Sequence, residues 1–409
     1  MVMPAIVNEG SGSYLKVGEH WFLDASSGAM NVNLGHGYAP AIEAMGRGGK
    51  GTPYILRGEY TSNSIEEFDK KVLSLLGEEY DSVIHGVTGS DSIEQAFRVV
   101  MQYWGAQGQP GKNIILSDGI SYHGMTRWAL DASGHEPRRK GARGNIIDPA
   151  GTINVPVTIP GHRSTLDSWK EAIESHSDQL AAIIYEPVGG GASSGAQCLT
   201  DDELRKLGTV AHKHNIPIIS DEVMCGFGRL LEPSLGARLL NADIVVASKG
   251  LGAGYYPISV AGVNKSLSGI LGEFDATFGT FGHTMARQSL ACNVANTVLD
   301  EVENSRLKIH MEKISQRLEN GLQEIENTYT HITITGRGLQ KGIHPFSAED
   351  PMELALEMKR KLLDDGVIAH ISGVDSMSGS LLLGPPLNSS ETDIDLLLES
   401  LDSCLKTLQ

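Results

Sequence analysis

The chain is short of cysteine, of positive charge and of long apolar runs. Its four cysteines, Cys198, Cys225, Cys292 and Cys404, show no CxxC spacing and no pairing pattern. That argues against a disulfide framework and for a reducing compartment. Lysine and arginine number 33 against 50 aspartates and glutamates, a net charge of −17. Such a surface repels phosphate backbones and anionic lipid, which disfavours nucleic-acid and membrane-surface roles. No run of 18 apolar residues occurs, so no membrane-spanning helix is expected. The opening "MVMPAIVNEG" lacks the basic and long apolar regions of a secretory signal, and a cytoplasmic protein is expected. There is no internal repeat, low-complexity tract or long linker.

What is present is a chain of 409 residues, enough for one large domain and a smaller one. Glycine is plentiful at 48 residues, well above the usual ~7%. That implies many tight turns or several places where backbone approaches a ligand. Short apolar runs alternate with helical patterns from about residue 83 to 265. "KNIILSD" (112–118), "AAIIYEP" (181–187), "IPIISDE" (216–222) and "ADIVVASKG" (242–250) read as buried strands. Between two of them, "LTDDELRKLGTVAHKHN" (199–215) carries a Thr200/Glu203 capping box and helical spacing at Leu204, Leu207 and Val210. Strand, helix, strand in succession means an α/β fold with a mostly parallel sheet. From about 295 a long amphipathic helical stretch and mixed short segments follow. The expected division is a large domain over 46–294 and a small α+β domain built from 1–45 and 295–409.

In an open parallel sheet, ligand chemistry gathers at the carboxyl ends of the strands. Three ionisable residues take that position: Glu186 after "AAIIY", Asp221 after "IPIIS" and Lys249 after "ADIVVAS". Any one alone reads as a capped strand end. Three in succession, two carboxylates and an amine, point instead to a shared site. The segment "VTGSDSIEQAFRVVMQYW" (87–104) begins a helix at Gly89 and Ser90, a ready anion site through free N–H groups and the helix dipole. Asp91 in its first turn fits plain N-capping as well. "SYHG" (121–124) adds a Tyr122-His123 pair just past a strand. An amine, a carboxylate, an anion cradle and an aromatic residue together suit pyridoxal phosphate. The lysine would form a Schiff base with its aldehyde, and a buried carboxylate would keep the ring nitrogen protonated.

These residues resemble the class III pyridoxal-phosphate aminotransferases of fold type I, through nearly the whole chain and in order. "TGSDSIEQA", "SYHGMT", "IIYEPVGG", "IISDEVMCGFGR", "ASKGLGAGYYPIS", "FGHT" with "SLAC", and "LLLGPPL" are similar to that family's successive motifs. The resemblance implies a large domain with a seven-stranded-type, mostly parallel sheet. It makes Lys249 the Schiff-base lysine and Asp221 the partner of the ring nitrogen. Tyr122 beside His123 would stack on one ring face, and Val223 would pack on the other. Gly89, Ser90 and Asp91 would form the phosphate-binding turn, and Thr284 would reach the phosphate from the neighbouring subunit of a homodimer. Glu186 would sit beside the cofactor. The glycines after Lys249 would let backbone pass close.

The departures bear on substrate. An arginine follows the "HG" in 4-aminobutyrate-type members, where this chain has Met125. Ornithine-type members carry an arginine at the position of Leu382, and many ω-amine members carry a mobile arginine where "GVIAH" ends in His370. The family's G-N-P is replaced by "RQS" (287–289). Losing these arginines removes the bidentate grips on a carboxylate. An amine, aminoaldehyde or amino-sugar-like substrate fits better, with Met30, Arg57, Arg127 and His370 as candidate contacts. An amino-acid donor must still be gripped, and no residue in the sequence stands out for that task. The expected activity is amino-group transfer with ping-pong kinetics. An aminomutase, a racemase or epimerase, or a decarboxylase would keep every residue named. A non-catalytic role is disfavoured, since a scaffold has no need of Lys249, Asp221, Ser90 and Thr284 together. "HKH" (212–214) reads as a solvated helix end, "EPRRKGAR" (136–143) as a surface loop, and Cys225-Gly226 as packing.

Overall fold

The apolar runs between residues 80 and 264 build one seven-stranded sheet. The structure is a computed structural model describing residues 5–52, 54–56, 58–143, 151–269 and 281–408. The strands are β1 (Tyr80–Gly86), β2 (Ile114–Asp118), β3 (Thr152–Val155), β4 (Leu180–Tyr185), β5 (Ile218–Asp221), β6 (Ile244–Ala247) and β7 (Ser259–Asn264). They lie in the order β1-β7-β6-β5-β4-β2-β3. Neighbours are parallel except around β7, which runs antiparallel to both β1 and β6. The α/β class with a mostly parallel sheet is therefore as expected. The reversal of β7 has no mark in the sequence, because "SVAGVN" is as apolar as a parallel strand.

Both faces of the sheet are covered, which is why its strands are near-continuous apolar runs. Alternate residues serve different cores. Ile183, Ile218 and Val245 join Trp169, Leu204 and Leu207 on one face. Ile184, Ile219 and Val246 join Ile93, Phe97, Val100 and Trp104 on the other. The helix Gly89–Ala106 supplies the second set at the spacing read from the sequence. The helix Asp201–Lys213 covers the first face. Its capping box is formed as expected: Glu203 N–H donates to Thr200 Oγ1 at 3.3 Å and Thr200 N–H to Glu203 Oε2 at 2.9 Å.

Three expectations are corrected. The stretch after residue 288 is two helices, Ser289–Val302 and Ser305–Thr328. Asn304 breaks it, because its side chain accepts from Arg306 N–H at 2.9 Å and starts the second helix afresh. "EPRRKGAR" is a helix, Glu136–Arg143, with Glu136 and Lys140 paired at 2.8 Å one turn apart. The "HKH" end is more than solvated, since His212 Nε2 lies 3.0 Å from Asp243 Oδ2.

Two four-stranded sheets flank the large one. The first joins Val7–Ser11, Tyr14–Val17, His20–Asp24 and Val367–Ile368; the second joins Thr333–Arg337, Gln340–His344, Ser380–Leu383 and His370–Ser372. A further core draws on both ends of the chain, with Leu23, Leu34 and Ala44 packed among residues from Val294 to Leu405. Arg229 ties these parts to the large sheet. It is wholly buried and donates to the carbonyls of Leu339 and Pro385, both at 3.1 Å, to Asn33 Oδ1 at 2.6 Å and to Ser27 Oγ at 3.3 Å. Replacing it with methionine keeps much of the volume but strands these buried acceptors, at about 1–3 kcal/mol for each one left unsatisfied. Arg229→Met should therefore lower stability in urea denaturation by at least about 3 kcal/mol. An unchanged midpoint would show that the tie carries no weight.

Candidate functional site

The site is assembled by three adjacent parallel strands. Because β4, β5 and β6 are neighbours with Tyr185 opposite Ser220 and Asp221 opposite Val246, their carboxyl ends emerge side by side. Glu186 is the first residue after β4, Asp221 the last of β5, and Lys249 lies two residues past β6 in a tight turn, Lys249–Leu251. Lys249 has φ 37, a left-handed backbone that costs a side-chain-bearing residue about 1–3 kcal/mol and persists only where its surroundings hold it. One such restraint is Gly250, where any Cβ would collide with the Asn33 amide. That glycine admits the side chain of Asn33, where the sequence suggested a close passage of backbone.

Electrostatics follow from burial. Lys249 as a residue is half-buried; desolvation of its amine pushes the pKa down to about 8 while Asp221 and Glu186 pull it upward. Glu186 is raised above the ordinary carboxyl range, chiefly by desolvation and secondarily by Asp221, with His123 and Arg163 opposing. Its Oε1 accepts from Gly190 N–H at 2.9 Å and its Oε2 from Tyr122 N–H at 3.2 Å. Asp221 Oδ2 lies 2.7 Å from His123 Nδ1, and Asp221 Oδ1 accepts from Val223 N–H at 3.1 Å. These bonds fix the carboxylate's direction. His123 Nε2, on the far side of the same ring, is buried without a partner among the described residues.

The helix Gly89–Ala106 begins against the same loops, touching Val223 and Met125. Thr88 is its N-cap, and Asp91 completes a capping box by accepting from Val87 and Thr88 N–H groups at 3.0 and 3.2 Å. Asp91 also lies 2.5 Å from His283 Nε2. Its carboxylate thus closes the helix start, which leaves the N–H groups of Gly89 and Ser90 to face an anion. Gly89 has to be glycine: a Cβ there would sit 2.8 Å from Val223 Cγ1. Ser90 Oγ accepts from Met125 N–H at 3.1 Å, linking the helix start to the Tyr122-His123 segment. The chemistry of this donor set, an amine, a buried carboxylate, a helix N-terminus and an aromatic ring, would suit a ligand that carries an aldehyde, a basic ring nitrogen and a phosphate.

The remaining expected contacts divide. His370 reaches the site: it stands opposite Leu382 on the neighbouring strand, and a Cβ on Gly191 would touch both. Met30 is wholly buried and packs against Gly384, in the same core as Leu382. Arg127 is exposed and lines a separate cavity with Glu94, Trp128 and Asp131. Arg57 lies outside the described residues. Thr284 is exposed, next to the His283 that meets Asp91. Cys225 is buried with its thiol pKa raised well above the ordinary value by desolvation, so it packs and does not attack.

Three residues escaped the sequence reading. Arg163 is buried behind Glu186, donating to its carbonyl oxygen at 2.7 Å, and pairs with Asp118 at 3.2 Å. Glu222, beside Asp221, is buried and accepts from Ser220 and Ser234 hydroxyls and from Leu235 and Gly236 N–H groups, which orders the loop carrying Val223. Arg138 lies over the Tyr122 ring, 4.6 Å from its centroid. Only Glu222 had a visible signal, as the second acid of the "DEV" run.

Residues 1–405 match the family model described as Aminotransferase class-III. The uncharacterized aminotransferase YodT of Bacillus subtilis (strain 168) is 28% identical over 96% of this chain and 93% of its own length. The ornithine aminotransferase of Emericella nidulans is 26% identical over 98% and 85%. Among solved structures, the PMP-bound form of an aminotransferase from Vibrio fluvialis superposes with a TM-score of 0.86 at 22% identity, covering 99% of this chain and 93% of that one.

The depressed amine yields a prediction that needs no knowledge of substrate. Only the neutral amine attacks an aldehyde, so trapping of Lys249 by an aromatic aldehyde and borohydride should quicken about tenfold per pH unit and level off near pH 8. Peptide mapping identifies the modified lysine. A rate still climbing at pH 10 would show an ordinary, solvated amine.

Proposed function

The chain belongs to the class III aminotransferases, and from that premise we propose that it moves an amino group between an amine, aminoaldehyde or amino-sugar-like substrate and a keto acid. Enzymes of this family depend on pyridoxal 5'-phosphate. When bound, that cofactor supplies an aldehyde to carry the amino group and an electron-withdrawing ring to delocalise the electron pair left when a proton departs. Everything else falls to the protein. Lys249 Nζ, neutral in part near pH 8, would hold the aldehyde and, when released from it, would take and return the substrate proton. Asp221, aimed by His123 and Val223 N–H, holds a proton at the ring nitrogen. Gly89 and Ser90 N–H groups would hold the phosphate, Tyr122 and Val223 would pack on the ring, and Glu186 fixes the backbone of Tyr122 and Gly190. The observation that carries this reading is the convergence of Lys249, Asp221 and Glu186 on three adjacent strand ends.

The substrate class rests on the His370–Leu382 pair. The motif resemblance leads one to expect an arginine at one or other of these positions; here one is a leucine and the other an imidazole kept toward its neutral form by burial and by the positive charges of Lys359 and Lys249. This wall favours an uncharged substrate body. A homodimer is also part of the proposal. Met125 and Met285 are exposed apolar side chains beside residues that bond the helix start, and Thr284 lies with them, as though a second copy covers this face. Light scattering on the purified protein should give twice the monomer mass.

The experiment supplies nitrogen-15-labelled n-butylamine, an aminoaldehyde and an amino sugar with pyruvate and follows label into alanine. Label should arrive from uncharged donors, and Lys249→Ala should slow transfer by about 10²–10⁴-fold or more. Strong transfer from ω-amino acids with steep loss for unbranched amines would refute the substrate class.

A further inference from the structure

We propose that Arg138 grips the carboxylate of the keto acid, and of the amino acid made from it, beside the Tyr122 ring. The inference deepens the amino-transfer reading and rests on it. That reaction needs a keto-acid partner, while the strand positions His370 and Leu382 offer no cation for its carboxylate. The structure puts one on a different element. Arg138 stands two residues into the helix Glu136–Arg143, exposed, with its guanidinium over Tyr122. Tyr122 is the residue whose N–H bonds Glu186, so the guanidinium stacks on a residue that borders the site. His135 packs edge-on to the same ring at 6.2 Å.

Among the described residues the charge of Arg138 is uncommitted. In this acidic chain Arg47, Arg205, Arg238, Arg287, Arg317 and Arg337 each pair with a carboxylate. Within its own helix, Lys140 pairs with Glu136 and Arg139 donates to Asn154 at 2.6 Å. Among the described residues, none pairs with Arg138. A guanidinium stacked on an aromatic face keeps its N–H fork free and partly desolvated, the arrangement that binds a carboxylate bidentately. Its field also reaches His370, where it adds to the charges that disfavour the imidazolium. One helix thereby supplies the anion grip, and the strand pair is left for an uncharged partner.

The test compares Arg138→Gln and Arg138→Lys with the wild-type holoenzyme. Two readouts are taken: kcat/KM for pyruvate against butanal, with one amine donor, and calorimetric affinity for maleate, a non-reacting dicarboxylate. Arg138→Gln should lower the pyruvate-to-butanal ratio by 30-fold or more and weaken maleate by tenfold or more. Arg138→Lys, which keeps the charge and loses the fork, should fall between. A ratio within threefold of wild type with unchanged maleate affinity overturns the proposal and leaves amino transfer standing. Absence of transfer from every donor, with maleate affinity still lost in Arg138→Gln, overturns the transfer reading and leaves the carboxylate grip.

Discussion

Desolvation of the Lys249 amine against two carboxylates sets the conditions for the rest of the site. Burial alone drives a lysine toward neutrality; Asp221 and Glu186 pull it back, and the balance lands near the pH at which an amine can both bind an aldehyde and exchange a proton. That balance depends on spacing. The three groups come from consecutive neighbours of one parallel sheet, so their separation is fixed by strand pairing and not by loop conformation. The left-handed backbone at Lys249 is the local consequence: the chain bends sharply out of β6 to keep the amine among the acids.

Holding that bend requires parts of the chain far away in sequence. Asn33 packs on Gly250 and accepts from Arg229, and Arg229 also reaches the carbonyls of Leu339 and Pro385. The amino-terminal segment, the loop after Asp221 and the carboxy-terminal strands thus meet around one buried guanidinium. Glu222 does the same on a smaller scale, collecting four donors to order the loop that carries Val223. Residues that look like motif filler are the supports of the reacting groups.

Legibility in the sequence followed how local each cause was. Strands buried on both faces are uninterrupted apolar runs, so β4, β5, β6 and the ionisable residues at their ends could be read directly. The Thr200/Glu203 box was equally plain, because a cap is a three-residue affair. Asn304 was overlooked since amphipathic spacing continues across it on both sides. The role of Asp91 was ambiguous for a related reason: an acid in a first turn suits capping and a ligand site alike, and only its bonds to Val87 and Thr88 separate them. Arg138 could not be found from sequence at all. A basic run in an acidic protein reads as solvated surface until the helix is docked against Tyr122. Arg127, three residues past the "HG", looked better placed and instead turns to another cavity.

The most direct measurement of the central claim is an absorbance scan of the holoenzyme through a single turnover. Addition of a stoichiometric amine donor should abolish the visible band of the bound cofactor, and a keto acid should restore it, with no band formed by Lys249→Ala. A visible band that persists while substrate is consumed, or none in the wild-type protein with pyridoxal phosphate in excess, would contradict the account.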